Sequence, residues 1–90
     1  METQSSPWAL YPNDVPSLVK EGPAFVESFV FANYTDPEHR CRIIDRDGKD
    51  VFNVRGSLDY SPVVIEPGRI PLWEMFLQEL DSGQCYIYIR

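Results

Sequence analysis

The chain has 90 residues, 43% of them hydrophobic and 24% charged, with five Phe, five Tyr and two Trp. That composition suits one folded domain around one modest core and leaves no room for a second. Fourteen acidic against eight basic side chains give a formal charge of −6, which repels a phosphate backbone and argues against nucleic acid or an anionic membrane as partner.

No apolar run approaches the roughly 20 residues of a membrane span. The start METQSSPW has neither the basic residues nor the apolar stretch of a secretory signal. The expected setting is therefore a cytoplasm, and secretion by a signal peptide is not expected. For the same reason the Asn33-Tyr34-Thr35 sequon is set aside as a glycosylation site.

Residues 1–22 read as an extended N-terminal arm and residues 23–90 as a single β-rich domain. Over the first 23 residues Pro7, Pro12, Pro16 and Pro23 forbid a long helix and weaken any central strand. Between them stand Trp8, Leu10, Tyr11, Val15 and Leu18, too much apolar surface for a solvated tail. Such an arm packs either on its own domain or on a neighbouring subunit, and the second possibility makes these five residues candidate partner contacts. On that reading, deletion of residues 1–20 leaves the fold intact and abolishes assembly.

The run FVESFVFAN, from Phe25, is dense enough in Phe and Val to be a strand covered on both faces. NYTDPEH then supplies turn chemistry. CRIIDRDGKDVFNV reads as a hairpin about a two-residue Asp47-Gly48 turn, with Asp45 opposite Asp50, Ile44 opposite Val51, Ile43 opposite Phe52, Arg42 opposite Asn53 and Cys41 opposite Val54. Cys41, Ile43, Phe52 and Val54 then face inward. Arg42, Arg46 and Lys49 form an outward basic stripe in an acidic protein, a second candidate contact for an acidic partner surface or another copy of this chain.

A short strand is expected around Pro62-Val63-Val64-Ile65, closed by a turn at Pro67-Gly68. In IPLWEMFLQELDSG, Leu72, Phe76 and Leu80 recur every four residues with Trp73 and Leu77 beside them, which predicts one amphipathic helix of about ten residues with Pro71 in its first turn and Gly83 as its cap. CYIYIR closes the chain as a paired strand with Cys85, Ile87 and Ile89 inward. Together these predict a small antiparallel β-sandwich or partly open barrel of five to seven strands, with one short helix in the C-terminal half.

Chemical motifs are weak. Asp45, Asp47 and Asp50 surround Gly48, but a calcium loop needs its glycine sixth and a glutamate twelfth, where this stretch has glycine fourth and Arg55 twelfth. Cys41 and Cys85 lack the spacing of a zinc site and read as two buried reduced thiols, with a disulfide as the lesser reading. The one histidine, His39, reaches only Cys41 in an extended chain; an enzyme would require a fold that brings His39 to a nucleophile. No catalytic residue, metal site or cofactor is expected.

Taken together, GPAFVESFVFANYTDP, CRIIDRDGKDVFNV and GRIPLWEMFLQELDSGQCYIYIR resemble the compact β-rich accessory proteins of tailed-phage virions, the capsid decoration (cement) proteins and the tail or neck components. The resemblance covers most of residues 22–90 and is one of pattern: a strand ending in Asn-Tyr-Thr, a charged hairpin, and a late helix ending in Gly before a terminal strand. It implies a non-enzymatic, multi-copy structural protein, a homo-oligomer or a binder of a major structural protein, found in a virion or in host cytoplasm. The alternative of a different class is a small acidic inhibitor or adaptor that blocks a cellular protein.

Overall fold

The computed structural model describes the backbone of residues 6–66 and 70–89, and the side chains of all of these except 20–24 and 70–73. Seven strands follow in chain order: β1 Trp8–Leu10, β2 Ser17–Ala32, β3 Arg40–Ile44, β4 Asp50–Arg55, β5 Val63–Ile65, β6 Ile70–Leu80 and β7 Gln84–Ile89. The helical content among them is a 3-10 turn at Pro12–Asp14. The Tyr11 N–H donates to Asp14 Oδ2 at 2.8 Å to close it.

All strand pairs are antiparallel, and β2 belongs to two sheets. Its N-terminal part pairs with β6, beyond which lie β3 and β4. Its C-terminal part pairs with β7 on one side and β5 on the other, and β1 extends β7. The result is a β-sandwich of two four-stranded sheets that share one strand. Sixteen residues of strand would run about 53 Å if straight, whereas the longest extent of the molecule is 34 Å. β2 must therefore bend, and it does so where its register shifts, at Leu18/Lys20, Glu21/Ala24 and Val26/Ser28. Pro23 falls inside the middle shift, where a missing N–H interrupts no ladder bond.

Between the sheets, Phe29 of β2 stacks on Phe52 of β4 with ring centroids 4.9 Å apart. Phe31, Leu10, Ile43, Met75, Leu77 and Ile87 are fully buried beside it, as are Val26, Cys41 and Cys85. Each such side chain other than the two cysteines contributes about 1.5–3 kcal/mol by leaving water. Among the described residues no charged side chain is buried.

The expected helix over 70–83 is instead strand β6. Met75 and Leu77 alternate inward as a strand requires, but the register against β3 shifts between Arg42 and Ile43, so that Ile43 faces Leu77 and Cys41 faces Leu80. One extra residue in β6 turns Leu80 inward three positions after Leu77, a spacing that also belongs to a helical face. The bulge thus counterfeits helical periodicity. Gly83 caps no helix. It sits at the β6–β7 turn with φ +72°, where an added Cβ would lie 2.3 Å from the Ala32 carbonyl oxygen.

The hairpin keeps the expected partners Cys41 with Val54, Arg42 with Asn53 and Ile43 with Phe52. Its tip differs. The Asp45 N–H donates to the Lys49 carbonyl at 2.9 Å and the Gly48 N–H to the Asp45 carbonyl at 3.1 Å, so the loop has three residues, with Gly48 left-handed at φ +81°. Ile44 then pairs with Asp50 and Val51 is the odd residue, whose bulge restores the register that the longer loop displaced. The expected Pro67-Gly68 turn lies outside the described residues.

Residues 8–10 and 17–22 are built into this molecule's own sheets, joined by the 3-10 turn at Pro12–Asp14. Trp8 and Leu10 are buried as β1 against β7, Val19 is buried on β2, and β2 crosses the arm–domain boundary at 22 without a break. Deletion of residues 1–20 is accordingly expected to abolish the cooperative unfolding transition in urea, since it strips an edge strand from β7 and opens the core at three side chains. A truncated chain with a sharp transition and an unchanged m-value would refute that account.

Candidate binding surface

The segment GSLDYSP, residues 56–62, joins β4 to β5 and is organised by Tyr34 from 23 residues away. Tyr34 is buried and continues an aromatic stack out of the core, 4.8 Å from Phe31 and 6.1 Å from Tyr60 between ring centroids. Its hydroxyl accepts the Ser57 N–H at 2.7 Å and donates to the Ser61 carbonyl. The loop is thus gripped at both ends by one oxygen. Gly56 makes the approach possible, because a Cβ there would lie 2.4 Å from Tyr34 Cε2.

Inside the loop the Tyr60 N–H donates to the Ser57 carbonyl at 3.0 Å. Asp59 accepts the Ser57 hydroxyl at 2.7 Å, the Ser61 hydroxyl at 2.6 Å and the Ser61 N–H at 3.0 Å. The Ser61 hydroxyl first, then that of Ser57, holds the Asp59 carboxyl down at about 2. Tyr60 is left-handed at φ 62°, a conformation that strains a bulky residue by roughly 1–2 kcal/mol. All of this order presents two large side chains to solvent: Leu58 is 87% exposed and Tyr60 55%.

The loop runs into β5, whose Val64 and Ile65 are also exposed. On the outer face of that sheet Val64, Val30, Tyr86 and Ala9 lie in one row across β5, β2, β7 and β1, and Tyr88 is exposed opposite Ser28 in the next. The first row carries no charge, and exposed Glu27 stands in the β2 bulge beside Ser28 in the second. The outer face of the other sheet is charged in both signs, with Asn53, Arg42 and Glu79 in one row across β4, β3 and β6.

The eight residues singled out from the sequence do not form one patch. Trp8 and Leu10 are core, Val15 packs against the core, and Tyr11 is half-buried. Leu18 is exposed opposite Phe76. Arg42 is bound to Asp50 at 2.6 Å, and with Asn53 it lowers the Asp50 carboxyl below its ordinary range. Arg46 and Lys49 are exposed at the hairpin tip. The strand order places β1, which carries Trp8 and Leu10, at one end and the β3–β4 hairpin, which carries Arg42, Arg46 and Lys49, at the other. Sequence reasoning missed Leu58, Tyr60, Val64 and Ile65. The available signal was a Leu and a Tyr inside Ser-Leu-Asp-Tyr-Ser-Pro, large apolar residues where turn chemistry calls for small polar ones.

No protein-family model matches the chain, and no curated protein or solved structure is significantly similar to it. The site must speak through its own geometry.

Asp45 and Asp50 do not face one another as the two-residue turn required. Asp45 Oδ1 accepts the N–H groups of Asp47 at 2.8 Å and Lys49 at 3.0 Å, an Asx turn, and Asp50 serves Arg42. Among the described residues no three His, Cys, Asp or Glu side chains are grouped to hold a metal ion. His39 does not pair with Cys41; its Nδ1 lies 2.7 Å from Ser82 Oγ. That hydroxyl also accepts the Thr35 N–H at 3.0 Å, and Asp81 Oδ2 beside it accepts the Arg40 N–H at 2.9 Å. These contacts tie the 33–40 segment to the β6–β7 turn, and a lock of that kind accounts for all of them.

The loop generates two predictions. Tyr34→Phe keeps the ring stack and leaves the Ser57 N–H and Ser61 carbonyl without their partner, so the urea midpoint should fall by the equivalent of about 1–3 kcal/mol with faster amide exchange at Ser57. The Asp59 carboxyl sits at about 2 when folded and near ~3.9 unfolded; its support of the loop is therefore complete above about pH 5 and lost as the pH falls through 2. An NMR titration should place its midpoint near 2, and a midpoint near 4 would remove the hydroxyl cage from the account.

Proposed function

We propose that this chain is a non-enzymatic structural or assembly protein that works by binding other protein subunits, and that it serves as a multi-copy phage virion component of the decoration, cement or connector kind. The observation that carries the binding reading is Leu58, 87% exposed on a loop that is hydrogen-bonded, strained and clamped by a buried tyrosine. A solvated connector needs none of that order. A residue held ready in one conformation loses little entropy on docking, which is how small interfaces gain affinity.

The uncharged Val64–Val30–Tyr86–Ala9 row on the outer face of the β1–β7–β2–β5 sheet supports the same reading, because interface centres are depleted in charge and rich in Tyr and aliphatic side chains. The virion part rests on the resemblance of the strand, hairpin and terminal-strand pattern. The contact surface in this proposal is Leu58, Tyr60, Val64 and that sheet face, in place of the N-terminal arm. A second reading, an acidic inhibitor or adaptor, is favoured by one feature: a single projecting Leu beside an ionised Asp59 suits insertion into one basic-rimmed pocket of a cellular protein.

Light scattering on the purified chain and a copy count in any native assembly distinguish these readings. A symmetric oligomer or many copies in a particle supports the structural role; a monomer that forms a one-to-one complex supports the inhibitor. Leu58→Asp should change folding stability by no more than about 0.5 kcal/mol and weaken the association at least about 30-fold. Assembly unchanged by this substitution would move the contact elsewhere.

A further inference from the structure

The phenylalanine stack that spans the two sheets also fixes which inward positions meet. Phe29 lies opposite Ile87 on β7, and Phe52 lies opposite Ile43 on β3. One inward step further along each strand, Phe31 lies opposite Cys85 and Val54 opposite Cys41. The layer beside the stack therefore receives one cysteine from each sheet. Both are fully buried and both are free. A hydrogen bond between the two thiols, then burial, pushes the Cys41 thiol far above its ordinary value.

We propose that Cys41 and Cys85 are a latent cystine, a pair of packed thiols in the reduced chain that a disulfide oxidant such as oxidised glutathione joins into a covalent staple between β3 and β7. One protein thiolate attacks the oxidant's disulfide and releases the first small thiolate. The second protein thiolate then attacks the mixed disulfide at the protein sulfur and releases the other. Two protein S–H bonds are lost and one S–S bond forms; the oxidant accepts two electrons, and the two protons leave with its two thiols. Only a thiolate reacts, and the hydrogen bond to Cys85 together with burial keeps the Cys41 sulfur protonated, while both sulfurs are shielded from solvent, so the folded chain resists oxidation until the sandwich opens. Oxidation therefore belongs to refolding or to opening, and it leaves the outer faces of both sheets unchanged.

The full-length chain, unfolded in urea and refolded in oxidised and reduced glutathione, tests this. The expected product is a monomer lighter by two hydrogens. Non-reducing digestion should yield one cross-linked peptide pair containing Cys41 and Cys85. Closing a loop of about 45 residues should raise Tm by roughly 10–20 °C, and dithiothreitol should reverse the rise. The same oxidant added to native protein should act more slowly than during refolding. A refolded monomer with two titratable thiols, glutathione adducts on either sulfur without the internal link, or a cross-linked chain with a lowered Tm would each overturn the proposal. Cys85→Ala gives a second check wherever it folds, since its Tm must not respond to the oxidant.

Discussion

A strand too long for the molecule that contains it governs this fold. β2 would span about 53 Å as a straight ribbon, the molecule spans 34 Å at most, and β2 is paired along its length first with β6 and then with β7 and β5. Bending is the one way to keep its backbone hydrogen bonds while fitting the domain. The register shifts supply the places where such a strand bends, and its two halves then join different sheets. Two sheets follow from one strand, and the Phe29–Phe52 stack marks where they close on each other.

That constraint explains what the sequence made legible. Alternation is readable wherever a strand keeps its period: Cys85 and Ile87 face inward on β7, and Cys41, Ile43 and Phe52 face inward on the hairpin, as the residues themselves imply. Legibility fails at bulges, because one inserted residue exchanges the faces of everything after it. In β6 this produced a helical spacing without a helix. In the hairpin two such errors cancelled, a three-residue loop in place of two and a bulge at Val51. The prolines of the first 23 residues misled differently, since Pro23 coincides with a register shift in a central strand and does not end it.

The ordered Leu58 loop was not legible, and the reason is physical. Nothing local to Ser57–Pro62 announces order; the order comes from the hydroxyl and ring of Tyr34, brought there by the fold. A turn with a Leu and a Tyr is unremarkable when solvated and mobile. It becomes informative once Asp59, Ser57, Ser61 and Tyr34 are seen to hold it in one shape with Tyr60 strained. Strain kept in place by surrounding bonds points from observation to function, and the exposed group it serves is Leu58.

The edges of the two sheets sharpen the same asymmetry. An unpaired strand edge invites association, and soluble proteins blunt it with charge, proline or brevity. β4 carries Asp50, Asn53 and Arg55 on exposed positions, two of them charged, and Lys49 precedes it. β1 is three residues long and is bracketed by Pro7 and Pro12. β5 is equally short, yet it has no charge along Val63–Ile65, and Val64 and Ile65 are exposed. Glu66 follows it and Pro62 precedes it, so the guards stand at its ends and leave its middle open. The least protected edge and the sheet face with the Val64–Val30–Tyr86–Ala9 row adjoin the clamped Leu58 loop, which runs directly into β5. These features of residue choice converge there, while the opposite sheet carries charges of both signs, among them the Arg42–Asp50 pair.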